Sequence, residues 1–244
     1  MTGAWRAIAR LYWVQGSWSY ERMLGIGMAH AAAPLLEELR ARDPARHAEA
    51  VARSTDFFNA NPNLAGLALG ALARAESDGL PGASVQRLRN ALGGPLGALG
   101  DRFFWAGLVP ALSAAALAGV ALGGRAWAVL ATVVAYNAVR LLTARWSLVT
   151  GWREGPQVGA AIGRSWLPAA ADRVGPVAAF VLGLAIPLAG WWLLRDAPAV
   201  TVVGAPLVAV VGLLLARYVG PQLTVVRYAL GVLALGLLAG ALHS

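Results

Sequence analysis

Three asparagines, Asn59, Asn61 and Asn63, stand at alternate positions in FFNANPNLAG (57–66), with Pro62 lodged between the second and third. An amide side chain offers both donors and acceptors, and burying one unsatisfied costs a few kcal/mol. Three at one point either cap and turn the local backbone or line a polar site. The next candidates lie in GPLGALGDRFFW (94–105), where Asp101 and Arg102 precede a hydrophobic run. Asp101 suits the N-cap of a helix starting there; alternatively, Asp101 or Arg102 closes a polar network under the two short apolar segments that precede it, 64–73 and 93–100. A third group is Asn137 and Arg140, which share a helix face at i, i+3 inside an apolar stretch that also holds Thr143 and Arg145. An arginine at the centre of a membrane helix costs roughly 2.5–3.5 kcal/mol, so it pairs, faces water or snorkels from the helix end. Arg145 reads as a snorkelling end charge; for Arg140 with Asn137 both readings stand.

Catalytic chemistry finds little material. The three histidines, His30, His47 and His243, have no second ligand at metal spacing, and no GxSxG, HExxH, P-loop or GxGxxG string occurs. With no cysteine, thiolate metal sites, disulfides and cysteine nucleophiles are excluded. No catalytic residue, metal site or cofactor is expected, which disfavours an enzyme acting alone.

The elements that must position these side chains are membrane helices. Of 244 residues, 58% are hydrophobic and 13% charged, about half the charged share of an ordinary soluble domain. Apolar runs cover 103–122, 126–149, 174–194 and 199–242, the last divided by the polar notch from Arg217 to Gln222. At about 20 residues per crossing, these give about five transmembrane helices. The net charge of +8 comes wholly from arginine; the arginines are scattered at the ends of apolar runs, which reads as topogenic charge rather than a nucleic-acid surface. Eleven arginines against nine acids in residues 1–102 favour a cytoplasmic N-terminal region. No cleavable signal peptide is expected, because charges interrupt every apolar stretch of the first 30 residues.

Ahead of the spans, residues 1–56 read as amphipathic helices, cytoplasmic or interfacial. Trp5, Ile8, Leu11 and Tyr12 recur at helical spacing beside Arg6 and Arg10, a pattern for the membrane surface or a partner. A second helix, 21–42, should bend or break at Pro34, and a third should start with Asp43 as N-cap and Pro44 at its first position, running to Phe57 or Phe58. Residues 57–102 hold two apolar pieces too short to span, LAGLALGALA (64–73) and GGPLGALG (93–100). Pro62, Gly66, Gly94, Pro95 and Gly100 supply the breaks and small residues of a re-entrant hairpin, irregular backbone being tolerated at membrane depth only inside protein or beside a cavity. Residues 103–244 form the transmembrane region. The expected class is thus an all-α, polytopic integral membrane protein.

Three strings in this order, QGSWSYERM (15–23), FFNANPNLAGLALGALARAE (57–76) and GPLGALGDRFFWAGLVPAL (94–112), resemble the IID membrane component of the mannose/fructose/sorbose-type phosphotransferase system (PTS). The match is looser beyond about residue 150, and the soluble region is trimmed. The resemblance implies a multi-pass protein of the bacterial inner membrane, obligately paired with a IIC component, the IIC–IID heterodimers assembling as trimers. The pair would move a hexose or hexosamine that IIB phosphorylates, with phosphate arriving through IIA, so the chemistry lies in other subunits. It also implies a sugar contact for Asn59, Asn61 or Asn63, since neutral amides match hydroxyl groups without a net charge to desolvate, although most sugar contacts would lie on IIC. Two rivals remain: a non-transporting scaffold or regulator that keeps the fold, and a membrane enzyme.

Overall fold

The computed structural model describes residues 1–198 and, beyond them, only Gly204, Val210, Leu214 and Arg217. Every regular element among the described residues is helical. Ten α-helices follow in order: α1 (Ala4–Leu11), α2 (Gly25–Ala32), α3 (Glu37–Arg42), α4 (Pro44–Ser54), α5 (Ala65–Ser77), α6 (Gly82–Gly100), α7 (Val109–Gly119), α8 (Arg125–Glu154), α9 (Val158–Arg164) and α10 (Leu167–Leu194). Two π-helical stretches, Asp101–Leu108 and Val120–Gly124, flank α7. Residues Met1–Ala189 form one compact unit, and Gly190–Ser244 are assigned to a second.

The N-terminal breaks follow local chemistry. Pro34 sits in a short 3-10 turn, Ala33–Leu35, that separates α2 from α3, because its ring removes a donor and crowds the preceding turn. Asp43 caps α4 through Oδ1, which accepts from the Arg46 backbone N–H at 3.0 Å, with Pro44 at the first helical position. That helix ends at Ser54, short of the expected Phe57, and arginines take the carbonyls at and just past its end: Arg22 donates to Thr55 O at 3.0 Å, and Arg89 to Ser54 O and Asp56 O at 3.0 and 2.8 Å. The apolar edge of α1, Ala7, Ile8 and Leu11, is buried within this chain's own core, while Trp5 and Trp13 are exposed.

At the centre lies α5, thirteen residues long and buried on almost every side. Its principal neighbour is α8. The two backbones meet through small residues at four-residue spacing, Gly66 and Gly70 on α5 against Ser147 and Gly151 on α8. A Cβ on Gly70 would collide with the Leu148 carbonyl and the Trp152 amide, and one on Gly151 with the Leu67 carbonyl. This is the small-xxx-small packing that lets membrane helices approach closely.

Gly82 to Gly124 form one 43-residue helical run, and the stretch Ala126–Leu194, interrupted between α8 and α10, contains a second; both are long and apolar enough to cross a membrane. The reversal between them falls at Gly123, whose φ of 95° only glycine adopts without strain, in the gap expected between 122 and 126. The expected span 174–194 falls within α10. The two spans expected in 199–242 lie outside the described residues.

One expectation is corrected here. GGPLGALG (93–100) is not a separate piece but the last part of α6, with Pro95 inside the helix. A proline clashes with the Cβ of the residue before it; Gly94 has none, so the helix passes through. Asp101 consequently starts no helix and caps none: it follows Gly100 directly within the continuous run.

Candidate functional site

The three strings, 15–23, 57–76 and 94–112, meet around one cleft of about 400 Å3. Gln15 and Trp18 come from the first, Asn59 and Pro62 from the second, Asp101 and Trp105 from the third. Local pairing holds the first two strings together. Leu24 N donates to Phe58 O at 3.0 Å and Phe58 N to Arg22 O at 3.3 Å, around Met23 in a left-handed conformation with φ 50°. That backbone is uncommon for a non-glycine residue and marks a tightly specified junction. The α6 wall is a stripe at four-residue spacing, Gly93, Gly97, Asp101 and Trp105, the last two on the π-helical stretch. π-helical segments are frequent at functional sites because they re-aim side chains.

The three asparagines occupy different places. Asn59 is exposed and lines the cleft. Asn61 is buried; its Nδ2 donates to Asp101 Oδ1 at 2.9 Å and its Oδ1 accepts from the Asn63 backbone N–H at 3.0 Å. The second bond is an Asx turn that carries the chain past Pro62 into α5. Asn63 is buried, and its Nδ2 has no hydrogen-bond partner among the described residues. Gly100 makes the approach of Asn61 possible, since a Cβ there would collide with the Asn61 side chain. Gly66, as described, belongs to the α5–α8 contact rather than the cleft; Gly94 and Pro95 belong to α6, Gly94 on the cleft wall. Of the Asp101–Arg102 pair, Asp101 joins the network with Asn61, while Arg102 turns away to Asp172 Oδ1 at 2.8 Å.

Asn137 and Arg140 act together, but on the first helix. The Tyr12 hydroxyl donates to Asn137 Oδ1, Arg140 Nη2 donates to Tyr12 O at 2.8 Å, and the Arg140 guanidinium lies 4.0 Å from the Tyr12 ring centroid. Arg140 therefore ties the end of α1 to α8, whereas Arg145 is exposed. Arg140→Ala should destabilise the fold by about 1.5–3 kcal/mol, the range for a hydrogen bond to a charged group, and Arg145→Ala by no more than about 0.5 kcal/mol. Thermal unfolding of the two variants in matched detergent checks this; equal midpoints would reduce Arg140 to an end-of-helix charge.

Sequence reasoning missed a second polar cluster. Glu76, buried at the end of α5, accepts from Arg53 Nε at 2.8 Å and Nη2 at 2.9 Å, and pairs with Arg46 at 3.5 Å. Bonding to this carboxylate holds the Arg53 guanidinium above its ordinary pKa. Arg46 also donates to Glu76 O and Leu80 O, and Arg42 to Ser77 O, so α3 and α4 cap the C-terminal carbonyls of α5. A lone acid ending an apolar segment was the available signal. Trp105, four residues after Asp101 and so on the same helical face, was a second. Among the described residues no three metal-ligating side chains cluster.

Fold and cleft together describe an all-helical chain with two runs long and apolar enough to cross a membrane and a polar, aromatic-edged cleft at the junction of its core helices. Residues 2–192 match the model of the PTS system mannose/fructose/sorbose family IID component, and the chain belongs to that family. It is 29% identical over 174 residues to the PTS system mannose-specific EIID component of Escherichia coli K12, covering 69% of this chain and 61% of that protein. It is 30% identical over 148 residues to the fructose permease IID component of Bacillus subtilis, covering 59% and 53%. The chain thus spans about three fifths or less of the length of these relatives. Among solved structures, a chain described as a membrane protein superposes with a TM-score of 0.76 at 21% identity, covering 98% of this chain and 95% of that one. A chain of the cryo-electron-microscopy structure of the mannose transporter ManYZ with microcin E492 does so at 0.57 and 22% identity, with the same coverage.

Proposed function

We propose that this chain is the IID membrane subunit of a sugar-transporting phosphotransferase permease of the bacterial inner membrane. The family match over residues 2–192 carries the reading, and the exposed apolar faces support it. Trp127, Leu142, Phe180 and Leu193 are each at least two-thirds exposed on α8 and α10, an arrangement that water does not favour and that lipid or a partner covers. The partner is a IIC component, the assembly a trimer of heterodimers, and the substrate a hexose or hexosamine phosphorylated by IIB with phosphate from IIA. In this reading about five helices span, the N-terminal region is cytoplasmic, and residues 57–102 form the core that moves against a scaffold during alternating access. The short buried α5 is its arm. Asn59 contacts substrate, while Asn61 and Asn63 brace the site from inside.

Co-expression with a IIC-type partner and IIA and IIB domains tests this. The chain is expected to co-purify with the partner and to support phosphoryl-donor-dependent uptake of at least one of mannose, fructose and sorbose. Asn61→Ala removes the tether on Asp101 and should lower uptake several-fold while co-purification persists. Uptake unchanged by Asn61→Ala would end the role given to the asparagines. An intact complex without uptake of any sugar would return the chain to the non-transporting scaffold.

A further inference from the structure

Asn63 and Arg140 line one small cavity where the end of α1, the entry to α5 and the middle of α8 meet. Each is left with unfinished chemistry. Asn63 is 4% exposed, yet its Nδ2 donor has no hydrogen-bond partner among the described residues. Buried donors are nearly always satisfied, and an orphan of this kind points to a water, an ion or a functional role. Arg140 stands about 23 Å along α8 from Arg125, inside an apolar run. It joins none of the ion pairs among the described residues. Its polar contacts are with Tyr12, one to the carbonyl oxygen and one to the ring face. Neither brings the full negative charge that would offset a cation at membrane depth.

Besides Tyr12, the lining is Leu11, Pro62, Gly66 and Ala144, all uncharged, and no carboxylate reaches the cavity among the described residues. The cavity holds about 10 Å3, the room of a single water-sized particle. An amide nitrogen and a guanidinium are donors only, and the guanidinium carries a fixed positive charge. A metal cation is repelled there, phosphate and sulfate are too large, and a water fills the space without balancing the charge. We infer that the cavity binds one monovalent anion, a chloride, which accepts from Asn63 Nδ2 and from the Arg140 guanidinium. Bonds between a charged group and a donor of this type are the stronger class. The ion ties the entry of α5 to α8 close to the cleft: the Asn63 backbone N–H donates to Asn61 Oδ1, and Asn61 Nδ2 holds Asp101. Its occupancy therefore stiffens the turn to which Asp101 is tethered. The site is built wholly from this chain's residues and stands whether or not the complex moves sugar.

The test is thermal unfolding of the full-length chain in detergent, with its co-purified partner, in sodium gluconate exchanged for sodium chloride or bromide at constant ionic strength. Either halide should raise the midpoint saturably, by about 3–6 °C once it exceeds its dissociation constant tenfold. Asn63→Ala, which removes one donor, should raise the half-saturating chloride concentration about tenfold or more. Asn63→Asp places a carboxylate where the ion would sit. That variant should reach the chloride-bound midpoint in gluconate alone and lose its halide response. Equal midpoints in chloride and gluconate would mean that the cavity holds water, or that a partner's carboxylate neutralises Arg140, and would overturn the proposal. So would a response that never saturates, which is general salt, or an undiminished response in Asn63→Asp. Should the Asn63 variants fail to fold, bromide-exchanged crystals of the unaltered protein decide alone. An anomalous peak within hydrogen-bond reach of Asn63 Nδ2 and Arg140 upholds the site; a peak elsewhere, or none, removes it.

Discussion

Gly70→Ala is expected to lower the unfolding midpoint far more than methyl additions at the open glycines of the chain. The new Cβ meets the Leu148 carbonyl and the Trp152 amide, backbone atoms that cannot rotate aside. α5 must then lift off α8 along a contact that also includes Gly66 and Gly151, and overpacking of this kind costs about 1–3 kcal/mol and occasionally more. Against a total stability of about 5–15 kcal/mol, that is a large share. Gly66→Ala should cost less, because its nearest obstacle is the Ser147 hydroxyl, a side chain with other rotamers. Gly163→Ala is the control: it sits in α9 with nothing within 4 Å of its Cβ, and alanine's better helix propensity should leave stability equal or about 0.5–1 kcal/mol higher. Thermal unfolding in detergent ranks the three. If Gly70→Ala and Gly163→Ala behave alike, the α5–α8 contact is looser than described.

Glu76→Gln should be nearly as damaging, by a different route. The Glu76 side chain is 4% exposed and the side chains of Arg53 and Arg46 only 20% and 23%. Removing one member of a buried pair leaves the other charge uncompensated, typically at 3–5 kcal/mol; partial solvent access of the arginines brings the expectation to about 2–4 kcal/mol. The double change Arg53→Met with Glu76→Met should recover most of the loss, since apolar replacement of a buried pair is often neutral. Equal instability of the double variant would mean that Arg46 still requires the carboxylate. The measurement is a double-mutant cycle of Arg53→Met, Glu76→Met and the pair on unfolding midpoints, with Glu76→Gln measured alongside.

How much of this was legible in the sequence depended on whether a signal was local. Pro34, the Asp43–Pro44 cap and the reversal between residues 122 and 126 rest on neighbouring residues, and each stands where expected. The role of GGPLGALG turned on whether Gly94 relieves the clash of Pro95, and the role of Asp101 on that answer: with helix before it, an aspartate cannot cap, and its oxygen was taken by Asn61 forty residues earlier. Asn137 and Arg140 share a face as their spacing required, but their partner, Tyr12, is on the far end of the chain. The glycines of α5 mark a segment too short to span, but their four-residue spacing, which matches Ser147 and Gly151, is a packing signal that appears only when two helices are compared. Hydrophobicity showed that segments were buried, never against what.

The α5–α8 contact also sets an order of events during synthesis. Gly70 leaves the ribosome 81 residues before Gly151, which at 5–20 residues per second is roughly 4–16 s. Throughout that interval α5 is an apolar helix without its principal neighbour, too short to hold itself across a bilayer. The N-terminal helices can collect around it, but the core closes only when α8 arrives. The newborn chain therefore depends on a waiting period, sheltered by insertion machinery or a partner, before its central helix is secured.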